Sequence, residues 1–218
     1  MEEIEFDFRV MEEIDFLAIR RFMSHYCHTN IFNSSELVEI LLSQGEIGSV
    51  IRQLDTIEAF GFISVVNVYQ HKEKSCVRQI KKFVVSACNS LPEEEKKKWG
   101  FQLEQPLLGL FLNERIVNIP HLVAPQLNQF LFEEISLAVK EGHPYNFDHY
   151  LYLARYTTKK EIMEFEKVED EIYFKHALLK VKMTTTQNCG IAFMIFPATS
   201  IPAILKQIEN VVAEGYSW

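Results

Sequence analysis

The order of apolar and polar residues along the first third of the chain predicts one strand, two helices and a two-stranded hairpin. Residues 4–10 alternate strictly between apolar and polar side chains, as in a half-buried strand. Residues 15–28 instead carry apolar side chains at helical spacing, and Ser34 and Ser35 open a second predicted helix that closes near Gly45. Residues 50–54 and 60–69 are rich in β-branched side chains and are separated by a short connection, which favours a hairpin.

The rest of the chain continues to alternate between the two patterns. Helices are predicted at 76–87, 92–98 and 120–140, and in a final segment that Ser200 caps; strands are predicted at 107–112, 150–156, 177–183 and 191–196. Residues 159–167 are charged and fit either a loop or a helix. We find no glycine-rich linker and no internal repeat, so residues 1–218 are predicted to form a single α/β (α+β) domain. Its sheet is mixed and mainly antiparallel, flanked by helices, because the hairpins at 50–69 and 177–196 argue against a purely parallel sheet.

Composition narrows the classes of function. The chain has 218 residues, 48% of them hydrophobic, and a net charge of −8. Residues 1–15 hold seven acidic side chains against Arg9, and no bulk basic signal indicates nucleic-acid binding. An acidic terminal segment suits a basic protein partner, with solubility alone as the alternative. Four cysteines without a C-x-x-C pair indicate reduced thiols, and neither a signal peptide nor an apolar run of membrane-spanning length is visible.

Two histidine-containing groups are candidates for sites of chemistry. His25, Cys27 and His28 lie within four positions, but a metal site would need further ligands from elsewhere, and no second cluster exists. His143, Asp148 and His149 could contribute to a triad, but the chain contains no nucleophile elbow. Neither a metal site nor a hydrolase is predicted.

The segment GLFLNERIVNIP, residues 109–120, places polar residues at the end of an apolar strand. Glu114 and Arg115 could form an acid–base couple, order a charged turn as a salt bridge, or contact a partner. A neighbouring arginine holds a glutamate ionised, which is a poor setting for a general acid. The absence of glycine after Gly109 and of a free N–H at Pro120 makes phosphate binding there unfavourable.

Several blocks in order along the whole chain resemble the BCCIP family of eukaryotic proteins. They are GSVI at 48–51, FGFISVVNV at 60–68, GLFLNERIVNIP with the helix that follows it, EDEIYFKHALLK at 169–180, and the last strand and helix. The N-E-R-x-x-N-x-P block is the most specific of them.

The resemblance implies a fold like that of the GCN-type N-acetyltransferases, without transferase activity. Those enzymes hold the cofactor pyrophosphate with a glycine-containing loop after the central strand, and residues 112–121 occupy that place without glycine. No cofactor is therefore expected, and acetyl-coenzyme A is not expected to bind.

The resemblance also implies a function. It points to a non-enzymatic nuclear chaperone or assembly factor for a basic large-subunit ribosomal protein, active in 60S biogenesis and nuclear export, in nucleus and cytoplasm. We expect a monomer when free, with no membrane or direct nucleic-acid partner, and a nuclear export cargo as a possible second partner.

The predicted contact residues are Glu3, Glu5, Asp7, Asn113, Glu114, Arg115, Asn118 and Pro120. The alternatives are a degenerate acetyltransferase-like enzyme and a factor bound to the assembled ribosome. In animals the family is also tied to a tumour-suppressor recombination protein and a cyclin-dependent kinase inhibitor. Relatives carry longer acidic segments before the first strand and before the F-G-F-I-S strand, which puts the mode of client binding and these animal partners in question.

Overall fold

A computed structural model describes residues 6–26, 31–53, 56 and 58–215. One eight-stranded sheet runs through it in the order β1-β2-β3-β4-β5-β8-β7, with β6 paired to the far part of β5. The strands are β1 Phe6–Val10, β2 Ser49–Gln53, β3 Ala59–Asn67, β4 Leu108–Arg115, β5 His149–Lys159, β6 Ile162–Phe165, β7 Leu179–Thr186 and β8 Cys189–Pro197. The helices are α1 Phe16–His25, α2 Ser34–Ser43, α3 Ser75–Ala87, α4 Glu93–Leu103, α5 Val123–Lys140, α6 Val168–His176 and α7 Ile201–Ala213.

The sheet is mixed and mainly antiparallel, which confirms that part of the fold prediction. Its one parallel pair in the described ranges is β4 with β5, and the other pairings there are antiparallel. Among the described residues no helix is both long and apolar enough to cross a bilayer.

Helices cover both faces of the sheet. On one face, α1 to α4 pack their apolar sides against every second residue of the strands, including Leu110 and Leu112 of β4. On the other face, α5 to α7 cover the alternate residues, including Phe111 of β4 and Tyr152 of β5. This arrangement follows from the two-residue period of a strand, because a buried strand with helices on both sides must be apolar throughout.

Several element boundaries differ from the prediction. The segment 159–167, interpreted as a loop or helix, contains β6, which is reached by a tight turn at Lys160 and Glu161. The segment from Val168 to His176 is a helix that the pattern does not predict. The long helix begins at Val123 rather than at Pro120, with Pro125 in its first turn, where a missing N–H is tolerated. Ser200 occupies the cap position of α7, but its hydroxyl donates to the carbonyl of Pro197 and does not cap the helix.

Candidate functional site: a buried ion-pair cluster beside an apolar groove

The polar end of β4 is part of the sheet and not a loop. Asn113, Glu114 and Arg115 continue the strand by pairing with Ile63, Phe62 and Gly61 of β3, and all three are buried. The predicted loop at 113–120 is therefore wrong for its first three residues. The sequence is misleading here because charged residues usually end a buried strand, whereas these have partners inside the protein.

Strand alternation separates Glu114 from Arg115. Neighbouring side chains on a strand point to opposite faces, so Arg115 points towards α6 and Glu114 towards α1. The two do not pair with each other, and each binds a different set of residues. The interpretation of Glu114 and Arg115 as an acid–base couple is not supported.

Arg115 binds Glu169 of α6 through both terminal guanidinium nitrogens. Nη2 donates to Oε2 at 2.9 Å, and Nη1 donates to Oε1. Asn113 Nδ2 donates to the same Oε1 at 3.0 Å. Burial alone raises the pKa of Glu169, but the Arg115 cation outweighs burial and lowers that pKa to about 2. Glu169 therefore stays ionised down to strongly acidic pH, and its ion pair with Arg115 joins α6 to β4.

Glu114 is held from two sides. Arg155 of β5 lies 2.7 Å from one carboxylate oxygen, and Lys167 Nζ lies 3.5 Å from the other. Arg155 also binds Glu166 at 2.7 Å and donates to the carbonyl of His25 at 3.3 Å, so it links the end of α1 to the sheet. Burial lowers the pKa of Arg155, but the two carboxylates outweigh burial and raise it.

Asp170 is the last member of the cluster and binds Tyr152 and Lys167. Tyr152 donates its hydroxyl to Asp170 Oδ1 at 2.5 Å, and Lys167 Nζ lies 3.1 Å from Oδ2. Burial raises the pKa of Asp170 to about 6, although Lys167 pulls it down. Burial lowers the pKa of Lys167, but Asp170 and Glu114 more than offset this, so the pKa is raised.

The cluster lies where β4 and β5 separate. The two strands pair only from Leu108 to Phe111 and from His149 to Tyr152, after which β4 follows β3 and β5 follows β8 and β6. The Glu114–Arg155 ion pair bridges the diverging strands. Since the carboxylates and cations of the cluster pair with one another, they are poorly placed for proton transfer to a substrate.

An apolar groove of about 700 Å³ opens beside the cluster, on the side of α1. Its walls are apolar side chains of α1, the start of β3 and the turn after β4; they are Leu17, Ala18, Phe22, Ala59, Phe60, Ile116 and Val117. Glu114 and Arg155 contribute its charged floor, Arg115 also lines it, and Arg21, His25 and Glu58 form its polar rim. Leu17 is 68% exposed and Val117 is 89% exposed, so both walls present large apolar side chains to solvent.

The other predicted contact residues are scattered. Asn118 and Pro120 are exposed in the turn after β4, whereas Asp7 pairs with Arg9 on the edge strand β1. Glu3 and Glu5 lie outside the described residues. Contact with a partner is thus open to Asn118 and Pro120, while Asn113, Glu114 and Arg115 act from the interior.

The histidine groups form no site among the described side chains. No group of histidine, cysteine and acidic residues in the described ranges is arranged to hold a metal ion. Cys27 and His28 lie outside those ranges, and His25 Nδ1 contacts the carbonyl of Arg21. His143 Nε2 lies 3.7 Å from a carboxylate oxygen of Glu141, and no side-chain hydrogen bond in the described ranges joins it to Asp148 or His149.

Sequence reasoning assigns no role to Arg155, Lys167, Glu169 and Asp170. One signal is present: Arg155 is the single charged residue within the apolar and aromatic run 150–156, a position that requires a buried partner. Glu169 and Asp170 stand out only as part of a family block. Arg115, the partner of Glu169, lies 54 residues away, and Tyr152, one partner of Asp170, lies 18 residues away. Only the Lys167–Asp170 contact is local, so no local pattern reveals the cluster.

Comparisons with known proteins agree on one family. The BCCIP family model matches residues 1–190. Protein bcp1 of Schizosaccharomyces pombe is 32% identical over 72% of this chain, which spans 58% of that protein's length. The BRCA2 and CDKN1A-interacting protein of Bos taurus is 27% identical over 85% of this chain and 70% of its own length. The crystal structure of BCP1 from Saccharomyces cerevisiae superposes with a TM-score of 0.77 at 17% identity, covering 98% of this chain and 91% of that one. The chain therefore belongs to the BCCIP family.

Proposed function

We propose that this protein is a non-enzymatic binding factor, a chaperone or assembly factor for a basic ribosomal protein of the large subunit. It acts in 60S biogenesis and nuclear export, in nucleus and cytoplasm. The observation that carries the non-enzymatic part is the state of the polar groups at the end of β4. Glu114 and Arg115 are buried in ion pairs with other residues of the chain, so neither is free to act on a substrate.

The choice of a basic client rests on charge and on the family. The net charge of −8 favours a basic partner, and the name of the Bos taurus relative describes that protein as one that interacts with other proteins. A basic ribosomal protein exposes charge and apolar surface until rRNA covers it. An acidic domain can cover the same surface and release it when rRNA, a denser polyanion, competes.

A solubility assay tests this mechanism. Large-subunit ribosomal proteins extracted from purified 60S subunits are diluted to low salt with or without the protein and then centrifuged. We expect one basic ribosomal protein to remain soluble in complex with the protein, and added rRNA to release it. If the same set of proteins precipitates in both cases, the client proposal is wrong.

One observation favours a second candidate, a degenerate acetyltransferase-like enzyme. The cavity of about 700 Å³ beside β4 is lined by Glu114, and the parallel strands β4 and β5 diverge next to it. Glu114, however, is bound by Arg155 and Lys167. Isothermal titration with acetyl-coenzyme A distinguishes the two candidates: we expect no stoichiometric binding, and saturable binding would favour the enzyme.

A third candidate is a factor bound to the assembled ribosome. Sucrose-gradient sedimentation of a lysate separates it from a free chaperone. We expect the protein to sediment in the light fractions with its client, whereas comigration with 60S subunits would favour the ribosome-bound factor.

A further inference from the structure

The apolar groove between α1 and the turn after β4 is a surface without a partner in the described part of the chain. Leu17 is 68%, Val117 89% and Ile116 42% exposed. Isolated apolar residues on a surface are ordinary, but these line one concavity together with Phe22 and Phe60. A concave apolar patch rimmed by polar groups is typical of a protein-docking site.

The α1 wall of this groove carries Arg21, and Arg20 is exposed beside it on the helix, although the whole chain is acidic and the exposed Glu12 and Glu13 precede α1. Arg20 and Arg21 are exposed on α1, and neither forms an ion pair with an acidic residue of the described ranges. The charges of the groove floor are compensated, since Glu114 pairs with Arg155 and Arg115 with Glu169. The exposed acid of the lining, Glu58, lies at the start of β3, on the opposite wall.

We propose that the groove binds an apolar segment of a partner protein whose flanking acidic residues lie along α1. The apolar side chains of the segment would be buried between Leu17 and Val117, and its carboxylates would meet Arg20 and Arg21. A cavity of about 700 Å³ accommodates several side chains, which suits a helix or strand rather than a single residue. This partner differs in charge from the basic client proposed above, so the groove is a second binding surface and does not depend on that proposal.

A pair of model peptides tests the charge and the apolar contact together. The first is a fluorescent amphipathic peptide of about 14 residues, roughly 21 Å long as a helix, with leucine and phenylalanine on one face and glutamate on the other. The second has lysine in place of every glutamate. We expect fluorescence anisotropy to show saturable binding of the glutamate peptide to the full chain and weaker binding of the lysine peptide.

Three variants locate the binding. Val117→Asp should weaken binding of the glutamate peptide by about ten-fold or more, because it places a charge in the apolar wall. Arg21→Glu should weaken binding of the glutamate peptide and strengthen that of the lysine peptide. Leu178→Asp is the matched control, since Leu178 is 63% exposed but does not line the groove. Thermal unfolding of each variant verifies that it is folded.

Each contrary result overturns the proposal. Absence of saturable binding of the glutamate peptide, an unchanged affinity of Val117→Asp, or equal weakening by Leu178→Asp would show that the groove is not the binding surface. Tighter binding of the lysine peptide to the unmodified chain would show that the groove prefers a basic occupant.

Discussion

At the scale of single residues, the main feature is a set of charges held inside the protein. Arg115, Lys167, Glu169 and Asp170 are all buried, and each has a partner of opposite charge. Removing both partners of a buried ion pair can be nearly neutral, but removing one leaves an uncompensated charge in a medium of low polarity. The cluster therefore makes the attachment of α6 to the sheet sensitive to single substitutions.

The ion pair between Arg115 and Glu169 gives the first prediction. We expect Arg115→Met to lower the free energy of unfolding by about 3–5 kcal/mol, because Glu169 stays buried without its cation. The double variant Arg115→Met with Glu169→Leu should recover most of this loss. Arg78→Met is the control, since the Arg78–Glu73 pair is exposed and should contribute less than about 1 kcal/mol. Urea unfolding measures all three, and equal effects of Arg115→Met and Arg78→Met would contradict the account.

Asp170 gives a prediction of pH dependence. Its pKa in the folded chain is about 6, above the ordinary value of 3.8, so between these pH values the unfolded chain loses a proton that the folded chain keeps. Asp170 therefore favours folding at low pH, and its contribution becomes less favourable as the pH rises from about 4 to about 6. Asp170→Asn removes this titration.

The comparison of Asp170→Asn with the unmodified chain isolates the effect from Glu169, which has a lowered pKa and acts in the opposite direction. We expect the free energy of unfolding of the variant, relative to that of the unmodified chain, to increase from about pH 4 to about pH 6 and to stay constant above it. Urea titrations at several pH values measure this difference. A difference independent of pH would show that Asp170 titrates normally.

The residue scale is also where the sequence is least informative. The sequence pattern shows that charged residues lie at the end of β4, and such residues are expected at the surface. In the structure Glu114 and Arg115 are instead buried, where their ion pairs order the interior. Which carboxylate meets which cation depends on how α6 and β5 are placed in space, and that information is spread over distant segments.

At the scale of elements, hydrophobic periodicity locates most of the helices and strands. The strands predicted around 60–69, 107–112, 150–156 and 191–196 are confirmed within a few residues, as are the helices α1, α2, α3 and α7. The hairpin of β5 and β6 escapes prediction because Lys160 and Glu161 adopt positive φ angles of 49° and 67° without the glycine or asparagine that signals such a turn. Helix α6 escapes it because α6 buries Glu169 and Asp170 together with its apolar side chains, which removes the amphipathic pattern.

Close contact between β3 and β4 gives a prediction at this scale. A Cβ on Gly61 would lie 2.5 Å from Arg115 Cβ and 2.8 Å from the carbonyl oxygen of Glu114. Since the second atom belongs to the backbone, Gly61→Ala should push β4 from β3 and destabilise the protein by about 1–3 kcal/mol.

Gly100 provides the matched control for Gly61. It lies in α4, and a Cβ added there would meet no atom within 4 Å, so Gly100→Ala should stabilise the protein by about 0.5–1 kcal/mol through helix propensity. Thermal unfolding measures both variants. A neutral Gly61→Ala would show that the strands separate without penalty at this point.

At the scale of the whole molecule, the sheet and its two helical layers explain why the family assignment and the fold agree. The superposition on BCP1 from Saccharomyces cerevisiae extends over 98% of the chain despite 17% identity, because the alternation of buried positions, and not the residue identities, determines the layers. The order of the strands and the parallel pairing of β4 with β5 could not be predicted from periodicity, which reports on each element separately. The likeness to acetyltransferases, which the family resemblance implies, stays a prediction.

The proposed function depends on a partner, so its most direct test is the identity of the proteins that the chain captures. The full chain is immobilised and incubated with lysate at low and at high salt, and the bound proteins are identified by mass spectrometry. We expect a basic large-subunit ribosomal protein to be enriched at low salt and depleted at high salt, because the attraction is electrostatic. The absence of every ribosomal protein at low salt would contradict the account.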